Sequence, residues 1–188
     1  MKLTSSLLDK AAWRCLAMSW AWTLVGMLMA APALAQDPVD AKAFQHWVWS
    51  TAYRIPAELT SEESGYFSIV EGKNGHIYVG TAKYGDNGFL VDLDPATKQM
   101  KVVVDAEKEI GVDRKGFAAQ AKIHTRNNVG KSGRIYFGTK QGYPKDGEKR
   151  SDYLGGHPMV YDPATGKTRV YDIPIKYQGF ISVTPDES

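Results

Sequence analysis

Cysteine is almost missing from this chain: Cys15 is the single one in 188 residues, and it falls in the opening segment. One thiol cannot build an intramolecular disulfide framework, and beyond it the chain offers no Cys nucleophile and no thiolate metal ligand. An excess of charge of either sign is missing as well. Of 23 basic and 21 acidic residues, Lys2, Lys10, Arg14 and Asp9 lie in residues 1–35, so the remainder is balanced. It carries no electrostatic footprint of a nucleic-acid binder. Local catalytic signatures are also lacking: there is no GxSxG elbow, HExxH helix, phosphate-cradling GxxxxGK[ST] or CxxCH haem site. "GDNG" at Gly85 is a turn, because an EF-hand needs a longer ligand series and a closing Glu.

Long apolar runs are confined to one place. "MKLTSSLLDKAAWRC" is followed by the uncharged "LAMSWAWTLVGMLMAAPALA", which ends small-x-small at Ala33, Leu34 and Ala35. This is the pattern of a secretory signal peptide, residues 1–35, cleaved after Ala35. An uncleaved anchor is the alternative, since about 18 apolar residues span a bilayer, but Pro32 and the "ALA" site favour cleavage. The expected location is the periplasm or the exterior, with no stable membrane insertion afterwards. Residues 36–52 form an N-terminal segment that includes the aromatic "FQHWVWS".

What is present is a repeat. "GHIYVGT" at Gly75 returns as "GRIYFGT" at Gly133, and "DPAT" at Asp94 returns at Asp162. The first offset is 58 residues and the second 68, so about ten residues have entered the second copy within "KQGYPKDGEKRSDYLGG". Each copy divides into four short stretches rich in β-branched and aromatic residues, punctuated by Gly and Pro. In the second these are "AKIHTRNN", "RIYFGT", "HPMVYD" and "KTRVYDIP". Only "DAEKEIG" is expected to hold a helical turn.

Four antiparallel strands repeating over about 60 residues, with "DPATG" between the last two, resemble a blade of a β-propeller. The "GxIYxGT" and "VYDPxTGK" style is similar to that of bacterial secreted propellers, the group that includes streptogramin lyase-like, gluconolactonase-like and quinoprotein-like members. The fold class so implied is all-β, with two blades, residues 65–121 and 122–178. A meander sandwich with two similar sheets is the alternative. "TAYRIPAELTSEESGYFSIV" near the start matches "TRVYDIPIKYQGFISV" near the finish, which predicts an outer closing strand over 53–64 and the start of a further blade over 179–188. Two blades with orphan strands leave open sheet edges, so a longer propeller is expected, ring assembly from several chains being the alternative.

On such a fold, the loops from second to third strand and from fourth to next first strand share one face. That places Lys140, Tyr143, Lys145, Asp152 and Tyr153 of the inserted loop beside "DRKGFAAQ". His124 on the inner strand and His157 after the loop approach the same rim. With Asp152 they form a candidate divalent-metal or general-base set, against the reading that each imidazole serves a structural hydrogen bond. His76 and His46 read as structural or exposed. Asp94, Asp162, Thr81 and Thr139 are assigned to turn formation, and Tyr78, Tyr136, Phe137 and Tyr161 to the core between sheets. Two functions remain: a propeller that binds a small molecule, glycan, peptide or protein on its loop face, or a metal-dependent lyase or lactonase using His124 and His157.

Overall fold

A computed structural model describes residues 50–61 and 68–187, and all of these but Ser50 belong to a compact unit that spans Thr51–Ser188. The expected signal peptide, most of the segment after it, and Tyr66, the first-copy counterpart of His124, lie outside the described residues.

Each copy of the repeat folds into one antiparallel sheet. The first has the order β1 (Ile69–Glu71), β2 (Ile77–Gly80), β3 (Phe89–Asp94) and β4 (Gln99–Asp105). Its β3 reads as a nearly continuous apolar run and is buried along most of its length. The turn from β3 to β4 forms because the Asp94 carboxylate accepts from the backbone N–H of Ala96 at 2.8 Å and from the Thr97 hydroxyl at 2.8 Å. Pro95 supplies the fixed φ that such a turn favours. The second "DPAT" repeats the device, with Asp162 accepting from Ala164 N–H at 3.0 Å. "DAEKEIG" holds the helix α1 (Ala106–Ile110), capped by the Asp105 side chain at its start and by Gly111 at φ 80° at its end.

The second sheet is built from β5 (Lys122–Ile123), β6 (Asn128–Val129), β7 (Ile135–Lys140), β8 (Pro158–Asp162) and β9 (Lys167–Val170). Its order is β5-β7-β8-β9, with β6 also paired to β7. The inner stretch "AKIHTRNN" is therefore two short strands and not one. Thr125 explains the break: its hydroxyl accepts from the backbone N–H of Gly138 at 3.0 Å, taking the place of a strand carbonyl. At the matching point of the first sheet, Gly80 donates to the Ser68 carbonyl at 2.7 Å.

The core lies between the sheets. Tyr78, Leu90, Val104 and Ala106 from the first pack against Ile123, Ile135, Phe137, Met159 and Tyr161 from the second, and the Tyr78 and Tyr161 rings stand 6.0 Å apart. Tyr136 departs from the expected core role: it is half-buried and its hydroxyl donates to Glu187 at 2.7 Å. Close approach requires glycine at Gly80, where a Cβ would lie 2.6 Å from the Ile123 carbonyl oxygen.

The contacts between neighbouring segments repeat as the sequence does. Ile123 N–H donates to the Thr81 carbonyl at 3.0 Å, and Phe180 N–H donates to the Thr139 carbonyl at 3.1 Å. Gly88 donates to Gln120 at 2.8 Å, and Gly156 to Gln178 at 2.7 Å. Thr81 and Thr139 therefore do not form turns. Their hydroxyls accept from the backbone N–H of Phe89 and His157, across the loop that follows β2 and β7.

The two ends add no regular strand among the described residues. Over residues 53–61, where an outer strand is expected, Leu59 donates back to Pro56 at 3.0 Å to close a turn, and Ser61 donates to Ala82 at 3.1 Å. Pro56 has no N–H to offer a ladder. At the other end, Arg126 and Ser182 form a single parallel bridge. No helix among the described residues is long and apolar enough to cross a membrane.

Candidate ligand-binding face

Three connections meet on one side of the sheets: residues 81–88 between β2 and β3, residues 111–121 after α1, and residues 141–157 between β7 and β8. Gly116 N–H donates to the Gly85 carbonyl at 3.0 Å. Phe117 N–H donates to the Glu148 carboxylate at 2.9 Å, and the Gln120 amide donates to the Gly155 carbonyl at 2.9 Å. Gly142 packs its backbone against the Tyr84 ring, which a Cβ would crowd at 3.0 Å.

Tyr153 is the plug of this assembly. It is fully buried, its ring lies 6.1 Å from that of Phe117, and its hydroxyl donates to Gln120 Oε1 at 3.1 Å. The Thr139 hydroxyl donates to the same oxygen at 2.6 Å. Burial pushes the Tyr153 hydroxyl well above the usual tyrosine range. A ligand cannot reach it. Asp152 is exposed and accepts from the Lys149 backbone N–H at 2.8 Å, while Lys145 donates its N–H to Glu148 at 2.7 Å.

The two histidines lie on opposite sides of the second sheet. Lys122 pairs with Lys140 and Ile123 with Thr139, and Thr139 N–H donates to the His157 carbonyl at 3.1 Å. Successive side chains alternate between faces. His157 therefore shares the face of Ile123 and Thr139, whereas His124 shares that of Lys122 and Lys140. His157 Nδ1 sits 2.9 Å from the Tyr171 carbonyl, a contact that fits the structural reading. No group of three or more His, Cys, Asp or Glu placed to hold a metal occurs among the described residues. His124, His157 and Asp152 are not brought together. His76 instead lies 2.8 Å from buried Asp92, which also faces Lys101 at 3.4 Å.

What the fold does assemble is a cluster of lysines and tyrosines. Lys122 is only 3% exposed; its ammonium donates to the Tyr84 hydroxyl at 3.0 Å and lies 4.6 Å from the Tyr84 ring centre and 5.4 Å from that of Tyr143. Those rings meet nearly edge to face, 5.3 Å apart at 82°. Tyr143 is 72% exposed. Lys140, half-buried, is the cross-strand partner of Lys122. Burial, and then the neighbouring Lys122 charge, push the Lys140 ammonium below the usual lysine range. Burial followed by the charges of Lys122 and Lys140 lowers the His124 imidazole too, so it favours the neutral form.

Among the described residues, neither Lys122 nor Lys140 has a carboxylate partner. The nearest acid in the sequence of the Tyr84 loop, Asp86, is committed elsewhere, to Lys115 at 2.7 Å and Lys83 at 3.0 Å. A separate cleft of about 650 Å³ near α1 carries Asp105 and Glu107, but these acids serve the backbone. Asp105 caps α1, and Glu107 accepts from the N–H groups of Arg114 and Gln120.

Lys140 and Tyr143 are legible as site candidates because both fall in the inserted stretch of the sequence, although Lys140 ends β7 and only Tyr143 lies in the loop. Lys122 and Tyr84 are not legible in this way. The one available signal was a lysine at an otherwise apolar position in "AAQAKIH", where a cation is buried only with partners.

No family model, curated protein or solved structure matches this chain.

Proposed function

We propose that the two sheets are successive blades of an exported β-propeller and that the face formed by the three connections binds a ligand, a glycan before a peptide or protein. The blade reading is supported by the recurrence of the same inter-segment hydrogen bonds at Thr81 and Thr139. Export is supported by the leader pattern of residues 1–35. The binding reading rests on one observation: an exposed Tyr143 ring stands beside buried Lys122, held by the longest loop of the repeat. Aromatic rings with polar groups at their edges are what ring-bearing ligands stack upon. The metal-dependent lyase or lactonase alternative has no ligand set among the described residues on which to build.

The test is a binding screen of the full chain against neutral and acidic oligosaccharides, repeated with Tyr143→Ala. Saturable binding that weakens at least about tenfold in the variant, with unchanged unfolding, is the expected outcome. Identical binding by variant and wild type would remove this face from consideration.

A further inference from the structure

We infer that the ligand of this face is an acidic saccharide, whose anionic group is received by Lys140 against the positive field of Lys122 while its ring stacks on Tyr143. The inference rests on the binding-face reading above and narrows it to a ligand class.

Two lysines paired directly across neighbouring strands are an unfavourable arrangement, because like charges opposite one another repel. Here β5 and β7 hold Lys122 and Lys140 in register, and the first is removed from water. Buried cations are ordinarily matched by a carboxylate. Among the described residues, Lys122 has instead only a neutral hydroxyl and the faces of two rings. The rings and hydroxyl offset part of the desolvation, yet neither is a counter-charge. His124, on the same face and favouring the neutral form, adds no repulsion.

Such a site is complementary to an anion. A carboxylate or phosphate oxygen at Lys140 forms a charge-assisted hydrogen bond and relieves the repulsion between the lysines in the same step. The anion alone does not explain Tyr143, which is mostly exposed at the rim and oriented by its edge-to-face contact with Tyr84. An apolar ring face beside an uncancelled cation fits a sugar ring bearing an acidic substituent. The acidic substituent can be a uronate carboxylate, a single negative charge next to the ring, or a sugar phosphate, a larger negative charge held further from it.

The experiment titrates the full chain with glucuronate, glucose 6-phosphate, glucose and inorganic phosphate at fixed ionic strength, reading heat and unfolding temperature. At least one of the two acidic sugars should bind saturably and raise the unfolding temperature, with affinity falling as salt rises, and glucose should bind at least tenfold more weakly. Which acidic sugar binds more tightly identifies the anionic group. Lys140→Met should lower that affinity at least tenfold while unfolding no more easily than wild type, because one of two repelling charges has gone. Lys122→Met, at the buried position, is the second variant. Equal binding of glucose and the acidic sugars, with no effect of Lys140→Met but loss in Tyr143→Ala, would overturn the anion assignment and leave the binding face intact. Inorganic phosphate binding as tightly as either acidic sugar, indifferent to Tyr143→Ala, would overturn the saccharide assignment. No binding of any acidic sugar, with Tyr143→Ala also silent against every neutral glycan, would overturn both readings.

Discussion

The two sheets share one framework and differ in what hangs from it. In the first, the hydroxyl of Thr81 accepts from an N–H 8 residues ahead; in the second, the hydroxyl of Thr139 accepts from an N–H 18 residues ahead. The same bond closes a short loop in one copy and a long one in the other. The ends of β7 and β8 are thus held in the geometry of β2 and β3 whatever lies between them. The extra residues are free to carry Tyr143, Glu148 and Tyr153, which fasten this loop to its neighbours. Invariant positions of a repeat do the packing, and its departures hold the candidate site.

The strongest way to break the comparison is at the paired glycines. A Cβ on Gly80 would meet a backbone oxygen of Ile123 at 2.6 Å, whereas a Cβ on Gly138 would meet the side chain of Phe180 at 2.7 Å. The atom met at Gly138 is the Phe180 Cβ, which cannot rotate away, but Phe180 lies outside any strand and its segment can shift; a carbonyl within a ladder cannot without moving the sheet. Gly80→Ala should therefore cost about 3 kcal/mol and Gly138→Ala about 1–2 kcal/mol in urea unfolding. Equal costs would mean that the two junctions are not distinguished in this way.

The threonines give the next largest difference. Thr139 accepts from His157 and donates to buried Gln120, while Thr81 accepts from Phe89. Replacement by isosteric valine leaves a backbone N–H without its acceptor in each case, and in the second sheet removes a hydrogen bond to Gln120 as well. Thr139→Val should lose about 2–3 kcal/mol and Thr81→Val about 1–2 kcal/mol. A larger loss at Thr81 would reverse the argument that the long loop leans on its anchor more.

Much of this framework was legible in the sequence because repeats report on packing. "GxIYxGT" and "DPAT" return only where strand, close approach and turn recur, so the two-sheet pattern, the helical turn at "DAEKEIG" and the buried Tyr78 and Phe137 could be read. The inner stretch of the second copy misled because a side-chain hydroxyl, Thr125, replaces a backbone acceptor there, and alternation says nothing of that exchange. The site was legible only in outline. His124 and His157 stand out in the sequence as approaching one rim, but whether two such residues meet depends on strand parity, and a register one residue different reverses it. Lys122 went unnoticed because its partners, Tyr84 and Tyr143, come from two different loops.

A smaller contrast lies in the β-turns. Lys98 adopts φ 62° where the second copy has Gly166 at φ 68°. The left-handed conformation strains a side chain and not glycine. Lys98→Gly should raise stability by about 0.5–1 kcal/mol, the relief exceeding the added freedom of the unfolded chain. A loss of stability would show that the Lys98 side chain contributes more than its backbone costs.

The smallest effect sharpens the comparison at the opposite hairpins. In the first sheet the turn serves its own tyrosine, since Asn74 donates to the Tyr78 hydroxyl at 2.9 Å. In the second, the corresponding Ser132 and Tyr136 both donate to Glu187, so the acid of the terminal segment joins turn and strand. The hydrogen bonds from the Ser132 and Tyr136 side chains, followed by backbone N–H groups, hold the Glu187 carboxyl down to about 2. The same contact, after burial, raises the Tyr136 hydroxyl. A depressed carboxyl binds fewer protons when folded than when unfolded, so its stabilisation is complete above the ordinary glutamate range near 4.5 and is lost as pH falls towards 2. Because Glu187 is only half-buried and lies in the terminal segment, the effect is local. Amide exchange at Ser132 and Arg134 should quicken between pH 4.5 and 2 beyond its intrinsic pH dependence, and Glu187→Gln should show the quickened exchange at neutral pH. The matching Asn74 and His76 amides of the first hairpin, which donate to no carboxylate among the described residues, should follow the intrinsic dependence alone; equal response in both hairpins would remove Glu187 as the cause.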